Sequence, residues 1–511
     1  MKKNPAPFYV FAFSLFPVLS LYASNVSQAS FSSFLCAAAV SLASAAVLFF
    51  LFCLLLKKKN KAAAAASLAV VFFFSYGHVH GIFYEFIADR AMNFEDLYLE
   101  RFLLIAGRVV HAVLCLTGLA ILVFLVSRIS RSKKDYCQTT RFLNAFGFFL
   151  LLVPAVVLFT NLPQAAPAPD NAQAVPSAKK TESKPDIYYI ILDGYTRQDM
   201  LMKVYDYDNA WFIEELEKLG FTIAKESKSN YAHTTLSLAS SLNFDYIHDK
   251  LIPDGGFAAN DRILFRLIKD NALTRFLKAA GYRYVHMNSI WSGTMSNPAA
   301  DISISYEKGV FKNEFYRVFL GTTLLKVFDA MAAKELAAVH LYNFEKVPEV
   351  ARIPGPTFTF AHFLLPHNPY LFGYDGQIKE RVTAVHQWDH LKGGGWRQPE
   401  AYIDQLHFTS VKMLEMVKKI LEGSPEPPVI IIQGDHGFNL RFTAKSKRGR
   451  ETRLAILNAY YLPGAKDKLS KTITPVNSFR VVLDHYFGAG LGLLEDKSYY
   501  SLPETAYEFD E

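Results

Sequence analysis

The sequence predicts two parts of different class. Residues 1–160 read as an α-helical membrane domain, and residues 186–511 read as an α/β domain with a mostly parallel sheet sandwiched by helices. Three observations carry this. The first 160 residues are dominated by long apolar stretches; strand-like and helix-like patterns alternate after residue 186; and two continuous apolar runs, 187–192 and 429–432, each lead into an acidic residue. Buried parallel strands have that continuous apolar character.

The apolar stretches lie at about 8–24, 31–56, 62–84, 102–126 and 142–160. Each is near the length needed to cross hydrocarbon, which predicts five membrane helices. The first is the shortest and is interrupted by Pro17; behind Met1-Lys2-Lys3 it also fits a signal peptide. No clear small-residue cleavage site precedes the next apolar stretch, which favours retained insertion. Lys2 and Lys3, the loop Lys57-Lys58-Lys59-Asn60-Lys61, and the stretch holding Arg128, Arg131, Lys133, Lys134 and Arg141 alternate with loops poor in Lys and Arg or acidic, such as Glu95-Asp96. The positive-inside rule then places the N-terminus in the cytoplasm and everything after residue 160 outside it, in the periplasm or extracellular space of a plasma (inner) membrane protein. Those clusters hold more positive charge than the whole chain's net +7, so the remainder is mildly acidic. The basic balance therefore reports topology and gives no support to nucleic-acid binding.

Cys36, Cys53, Cys115 and Cys137 all fall in or beside the apolar stretches, leaving the outer part without cysteine. Neither a disulfide framework nor a Cys-rich metal motif is available there. An Ala/Pro-rich linker spans 161–185. Strands follow at 186–192, about 221–225, 282–287, 357–363, 428–433 and 456–462, with helices at about 207–219, 262–280 and 400–422; 310–350 reads as helical and as an insertion over the sheet.

Ligands of open α/β sheets bind beyond the carboxyl ends of the strands. Asp193 after the first strand, and Asp435 with His436 after a late one, could therefore share a site, and their oxygen and imidazole donors suit Zn²⁺ or Mn²⁺. The alternative is a pair of ordinary strand-to-loop turns. A third element, Ser229-Asn230-Tyr231-Ala232-His233-Thr234-Thr235-Leu236-Ser237, opens a helix-like run. Its hydroxyls read either as a helix cap or as a nucleophile, because a threonine there faces free backbone N–H groups that favour an attached phosphate.

These segments together resemble the alkaline-phosphatase/sulfatase superfamily. The membrane helices, linker and large outer domain further resemble its membrane-anchored branch, which contains lipoteichoic acid synthases and lipid A phosphoethanolamine transferases. The resemblance implies that Asp193, Thr234, Asp435 and His436 hold one divalent metal, Zn or Mn, and that Thr234 accepts the phospho-substituent covalently. Thr234 has Ser237 three residues on, as in the transferases, whereas Thr235 has Leu238. The segment Phe358–Tyr370 resembles a His-x-Pro-aromatic loop that contacts substrate oxygens, which implies substrate-binding roles for His367 and Asn368. His362 reads either as a buried structural histidine or as a further substrate contact. Arg453 reads either as a partner for an anionic substrate or as a sheet cap.

The chain also departs from relatives. The sulfatase signature Cys/Ser-x-Pro-x-Arg is absent, and 440–452 lacks the histidine that follows the Asp-His pair in phosphoethanolamine transferases. A one-metal site closer to the lipoteichoic acid synthase pattern follows. The expected activity is transfer of a phospho-headgroup from a phospholipid donor to an envelope glycan or lipid. The alternatives are a phosphodiesterase of the same superfamily and a non-catalytic envelope scaffold. Arg108, His111, His78 and His80 lie toward the outer leaflet and read as lipid-headgroup contacts, or, for Arg108, as a side chain reaching back to the interface.

Overall fold

The computed structural model describes residues 5–26, 28–91, 99–161, 184–248, 261–379, 399–438, 446–502, 505 and 507–509. Most of the expected linker lies outside the described residues. The chain divides into two compact units: Met1–Ala166 with Glu314–Ala330, and Pro167–Asn313 with Met331–Glu511.

The first unit contains α1 (Tyr9–Ser24), α2 (Phe31–Leu56), α3 (Lys59–Ala91), α4 (Leu99–Arg131) and α5 (Cys137–Asn161). Four of them contain apolar spans of membrane-crossing length: Phe31–Leu56, Lys59–Phe83, Val109–Arg131 and Cys137–Thr160. The first expected span does form a helix, but its 16 residues reach only about 24 Å, short of a hydrocarbon core of about 30 Å. Large apolar side chains stand exposed along the others, among them Leu55 (73%), Leu116 (69%) and Phe159 (77%). Lipid is the solvent that such surfaces require. At one end of the bundle the Lys61 ammonium donates to the carbonyls of Ser130 (2.8 Å) and Ser132 (2.6 Å), satisfying acceptors that the C-terminus of α4 leaves open.

Glu314–Gly321 and the 3-10 turn Leu324–Phe328 pack with this bundle. The expected insertion over the sheet is thus helical, but its first half groups with the N-terminal helices. Only the following helix, Asp329–Lys346, continues into the second unit from Met331.

The second unit is built on a seven-stranded sheet: β1 (Ile187–Leu192), β2 (Thr222–Ile223), β3 (Arg283–Met287), β4 (Ile302–Ile304), β5 (Thr357–Phe363), β6 (Val429–Gly434) and β7 (Asn458–Tyr461), in the order β2-β7-β6-β1-β5-β3-β4. β1 runs parallel to both β5 and β6, while β7 is antiparallel to β6 and β2 to β7. Every residue of β1, β5 and β6 is buried, as strands covered on both faces must be. The expected helix over 262–280 is two helices, Asp261–Lys269 and Ala272–Ala279; Asn271 interrupts it by accepting the Thr274 amide at 2.7 Å as an N-cap.

Register positions the site. Leu192 lies opposite both Gly434 and Phe363, so the residues that follow, Asp193 and Asp435, emerge level with each other. Alternation along the strands puts Asp193, Asp435 and His362 on the face that carries Ile187, Tyr189, Ile191, Phe358, Phe360, Val429 and Ile431. Leu236, Leu238, Ala239 and Leu242 of the helix Thr234–Asn243 pack in that same core, which brings the helix N-terminus to the strand ends.

Candidate metal centre

Asp193, His362 and Asp435 each offer a ligand atom within 4.8 Å of the others, all buried. His436 joins them: its Nε2 lies 3.6 Å from Asp193 Oδ1, 3.3 Å from Asp435 Oδ2 and 3.2 Å from Thr234 Oγ1. His362 Nε2 lies 3.6 Å from Asp193 Oδ2. The structure therefore brings Asp193, Thr234, Asp435 and His436 together, and adds His362 to them. His362 is buried and hydrogen-bonded, as the structural reading of it expects, and its Nε2 also faces the cage.

The Asp435 carboxylate is aimed from behind. Asp435 Oδ1 accepts the amides of Gly194 (2.9 Å) and His436 (2.8 Å), turning Oδ2 inward. The Asp435 carbonyl accepts from Ser237 Oγ (2.6 Å) and Ser229 Oγ. Ser237, one helical turn after Thr234, thus ties the helix to the Asp-His loop. Thr234 is the first residue of that helix; its N-cap, His233, makes no side-chain capping bond. The helix start therefore keeps backbone donors for an anion.

Burial and charge give the pair of carboxylates opposite characters. Burial raises the Asp193 carboxyl, but His367, His362 and His436 outweigh it and hold it below the usual carboxylate range. Burial, reinforced by the negative Asp193, pushes Asp435 up to about 7. Burial and the Arg453 cation keep the His436 imidazole neutral. Asp193 Oδ1, Asp435 Oδ2 and His362 Nε2 make no hydrogen bond among the described residues although all are buried. Two carboxylates, two imidazoles and a hydroxyl converging on atoms without hydrogen bonds are a donor set that fits a divalent metal.

His367 stands half-buried at the rim, its ring centroid 6.3 Å from that of His436. Its amide donates to the Asp193 carbonyl (3.0 Å), and Nδ1 meets the Asn368 carbonyl. Burial lowers its basicity. Asn368 is buried, with neither amide atom hydrogen-bonded among the described residues. The peptide bonds Leu365-Pro366 and Asn368-Pro369 in this loop are cis. Arg453 lies in the helix Lys447–Leu454 and spends Nε on the Ala232 carbonyl (2.7 Å) and Nη1 on that of Gly437 (3.0 Å). It braces the loops before Thr234 and after His436, a cation behind the cage.

Three contributors escaped the sequence reading. Thr294 Oγ1 lies 2.8 Å from His362 Nδ1 and fixes the ring's direction. Gln405, fully buried, donates to the carbonyls of Pro366, His367 and Pro369 and accepts the amides of Leu371 and Phe372, holding the His367 loop from both sides. A glutamine on the stripe Tyr402, Leu406, Thr409, Met413 was the available signal. His340 is buried against Phe363, and its nitrogens make no hydrogen bond among the described residues. Of the membrane groups, Tyr76 hydroxyl meets His111 Nδ1 at 2.7 Å and the His80 and His111 rings lie 5.1 Å apart, a small polar cluster between α3 and α4.

No protein-family model and no curated protein matches the chain. Among solved structures it is similar to the C-terminal periplasmic domain of EptC from Escherichia coli, with 14% identity, a TM-score of 0.41, and 64% of this chain and 92% of that one covered. It is also similar to lipooligosaccharide phosphoethanolamine transferase A (EptA) from Neisseria meningitidis, at 13% identity and TM-score 0.40 over 93% and 94% of the two chains. Phosphonate monoester hydrolase of Agrobacterium radiobacter matches at 12% and 0.38 over 60% and 74%. These likenesses are distant.

Proposed function

We propose that this chain is a membrane-anchored, metal-dependent phosphotransferase that moves a phospho-headgroup from a phospholipid to an envelope glycan or lipid, with Thr234 as nucleophile. One observation carries the reading: a threonine hydroxyl at a helix start, 3.2 Å from His436 Nε2, in the cage that contains Asp193 and Asp435. Asp193, Asp435, His436 and Thr234, with His362 beside them, would hold one Zn²⁺ or Mn²⁺. When bound, the metal supplies a lowered hydroxyl pKa and compensation for developing phosphoryl charge.

Thr234 Oγ would attack the headgroup phosphorus, forming an O–P bond as the bond from phosphorus to the diacylglycerol oxygen breaks. With Nδ1 on the Asn368 carbonyl, His367 presents Nε2 as its acceptor; it would take a proton from an attacking hydroxyl and return one to a leaving oxygen. The acceptor hydroxyl then attacks the phospho-Thr, releasing Thr234. The helix start and the Arg453 cation favour the anionic intermediate. In this reading the N-terminus is cytoplasmic and the α/β unit lies outside the plasma membrane, where phospholipid headgroups and envelope acceptors are both present.

The test is mass spectrometry of the full-length protein trapped during turnover on phospholipid vesicles. A phospho-headgroup on Thr234, absent from Thr234→Ala, is expected. Thr234→Ala should lower turnover at least about a thousandfold, as nucleophile deletions do. Full turnover in Thr234→Ala refutes covalent catalysis. Formation of the intermediate with water as its acceptor would make the chain a phosphodiesterase.

A further inference from the structure

The segment Glu314–Phe328 takes no part in the chemistry above. The chain leaves the α/β unit after Asn313, packs with the helical bundle through Ala330, and returns at Met331. Phe315, Val318 and Phe319 are buried along one face of the short helix. Phe315 and Phe319 pack with Val18 and Tyr22 of α1 and Ala37 and Ala38 of α2. Phe315 meets Tyr22 edge-on at 6.5 Å, and the Phe319 ring lies 5.8 Å from Phe74 of α3. The backbone after the helix rests directly on α3: the Gly77 amide donates to the Thr322 carbonyl at 2.9 Å. A Cβ at Gly77 would fall 2.2 Å from the Gly321 carbonyl oxygen, so only glycine permits this approach. The partners are the end of α1, the start of α2 and the second half of α3, with Leu158 at the end of α5, which are ends on one side of the bundle.

We propose that Glu314–Phe328 is a second membrane anchor of the α/β unit, independent of the linker at 161–185. This rests on reading the helices as membrane-spanning and not on the assignment of Thr234. Two consequences follow. The α/β unit is joined to the bundle at two separated points of its sequence, and the unit cut out at residue 184 would carry an apolar helix stripped of its partners.

The test places a site-specific protease sequence within 162–183 of the full-length protein in membrane vesicles. After cleavage and a high-salt wash, the C-terminal fragment should stay with the vesicles. Gly77→Leu, which alters only the bundle, and Phe315→Glu with Phe319→Glu, which alters only the docked helix, should each release roughly tenfold more fragment into the supernatant. Uncut chains verify insertion, and resistance of the fragment to further proteolysis verifies its fold; a variant that fails either check is replaced by the other. Release of the wild-type fragment overturns the proposal, as does equal retention in the variants. Retention together with an inactive enzyme would count against the phosphotransferase reading alone.

Discussion

At the scale of single residues, the cage is an electrostatic problem that a cation solves. Without metal, Asp435 holds its proton up to about pH 7 because it is buried opposite the ionised Asp193. The unfolded carboxyl titrates near 3.9, so the metal-free native state binds more protons than the unfolded chain between about pH 4 and 7. The contribution of Asp435 to stability is therefore present at the low end of that window and lost as pH rises through it. Asp193 has the opposite sign: its depressed value stabilises above the unfolded value and is lost as pH falls. Metal must displace the Asp435 proton, and His436 is already neutral. Titration calorimetry of metal-free protein with Zn²⁺ in buffers of different ionisation enthalpy should show release of about one proton more at pH 6 than at pH 8 from this group. Equal release at the two values would remove Asp435 from the ligand set. Asp435→Ala should bind no metal while the α/β unit stays folded, measured by elemental analysis and circular dichroism. Thr235→Ala should keep substantial turnover, since that side chain points about 100° further round the helix.

At the scale of elements, the apolar runs of β1 and β6 and the acidic residues after them were legible because a fully buried parallel strand leaves no alternation and must expose its chemistry at its end. That same absence of alternation hid which face His362 takes. With every residue of β5 buried, the sequence cannot say which face a side chain takes; only the pairing of His362 with Ile191 decides it. The edge strand β4 was missed because three residues, Ile302–Ile304, are too short to show a period. The His367 loop was legible from its prolines, but its support was not, since Gln405 is 33 to 39 residues away in sequence. Removing that amide leaves buried amides and carbonyls without partners. Gln405→Ala should destabilise the domain by about 2–4 kcal/mol and lower turnover with metal content unchanged, measured by denaturant unfolding alongside initial rates. An unchanged rate would show that the loop keeps its shape without Gln405.

At the scale of the whole molecule, the sequence revealed the helical bundle through composition, but not the return of Glu314–Ala330 to it. A helix eight residues long has the same apolar face whether it covers a sheet or a bundle, and the choice is made by partners such as Gly77 that lie far away in the chain. That return bears on topology. Phe315 and Phe319 share one apolar cluster with the ends of α1 and α5 and the start of α2, while the Lys61 side chain meets the end of α4 at Ser130 and Ser132. The segments carrying Lys57–Lys61 and Arg128–Arg141 therefore occupy one side of the bundle, and the end of α5 the other. By the positive-inside rule, the charge in the first set predicts a cytoplasmic location for it. Reporter fusions after residues 60 and 135 should report cytoplasm, and fusions near 95 and after 165 the outside. The 16 residues of α1 decide the N-terminus separately: a fusion ahead of residue 5 should report cytoplasm if α1 crosses a locally thinned bilayer, as a helix of about 24 Å would require. A cytoplasmic signal at 165 would separate the Thr234 cage from every envelope acceptor and end the phosphotransferase reading, whatever the cage binds.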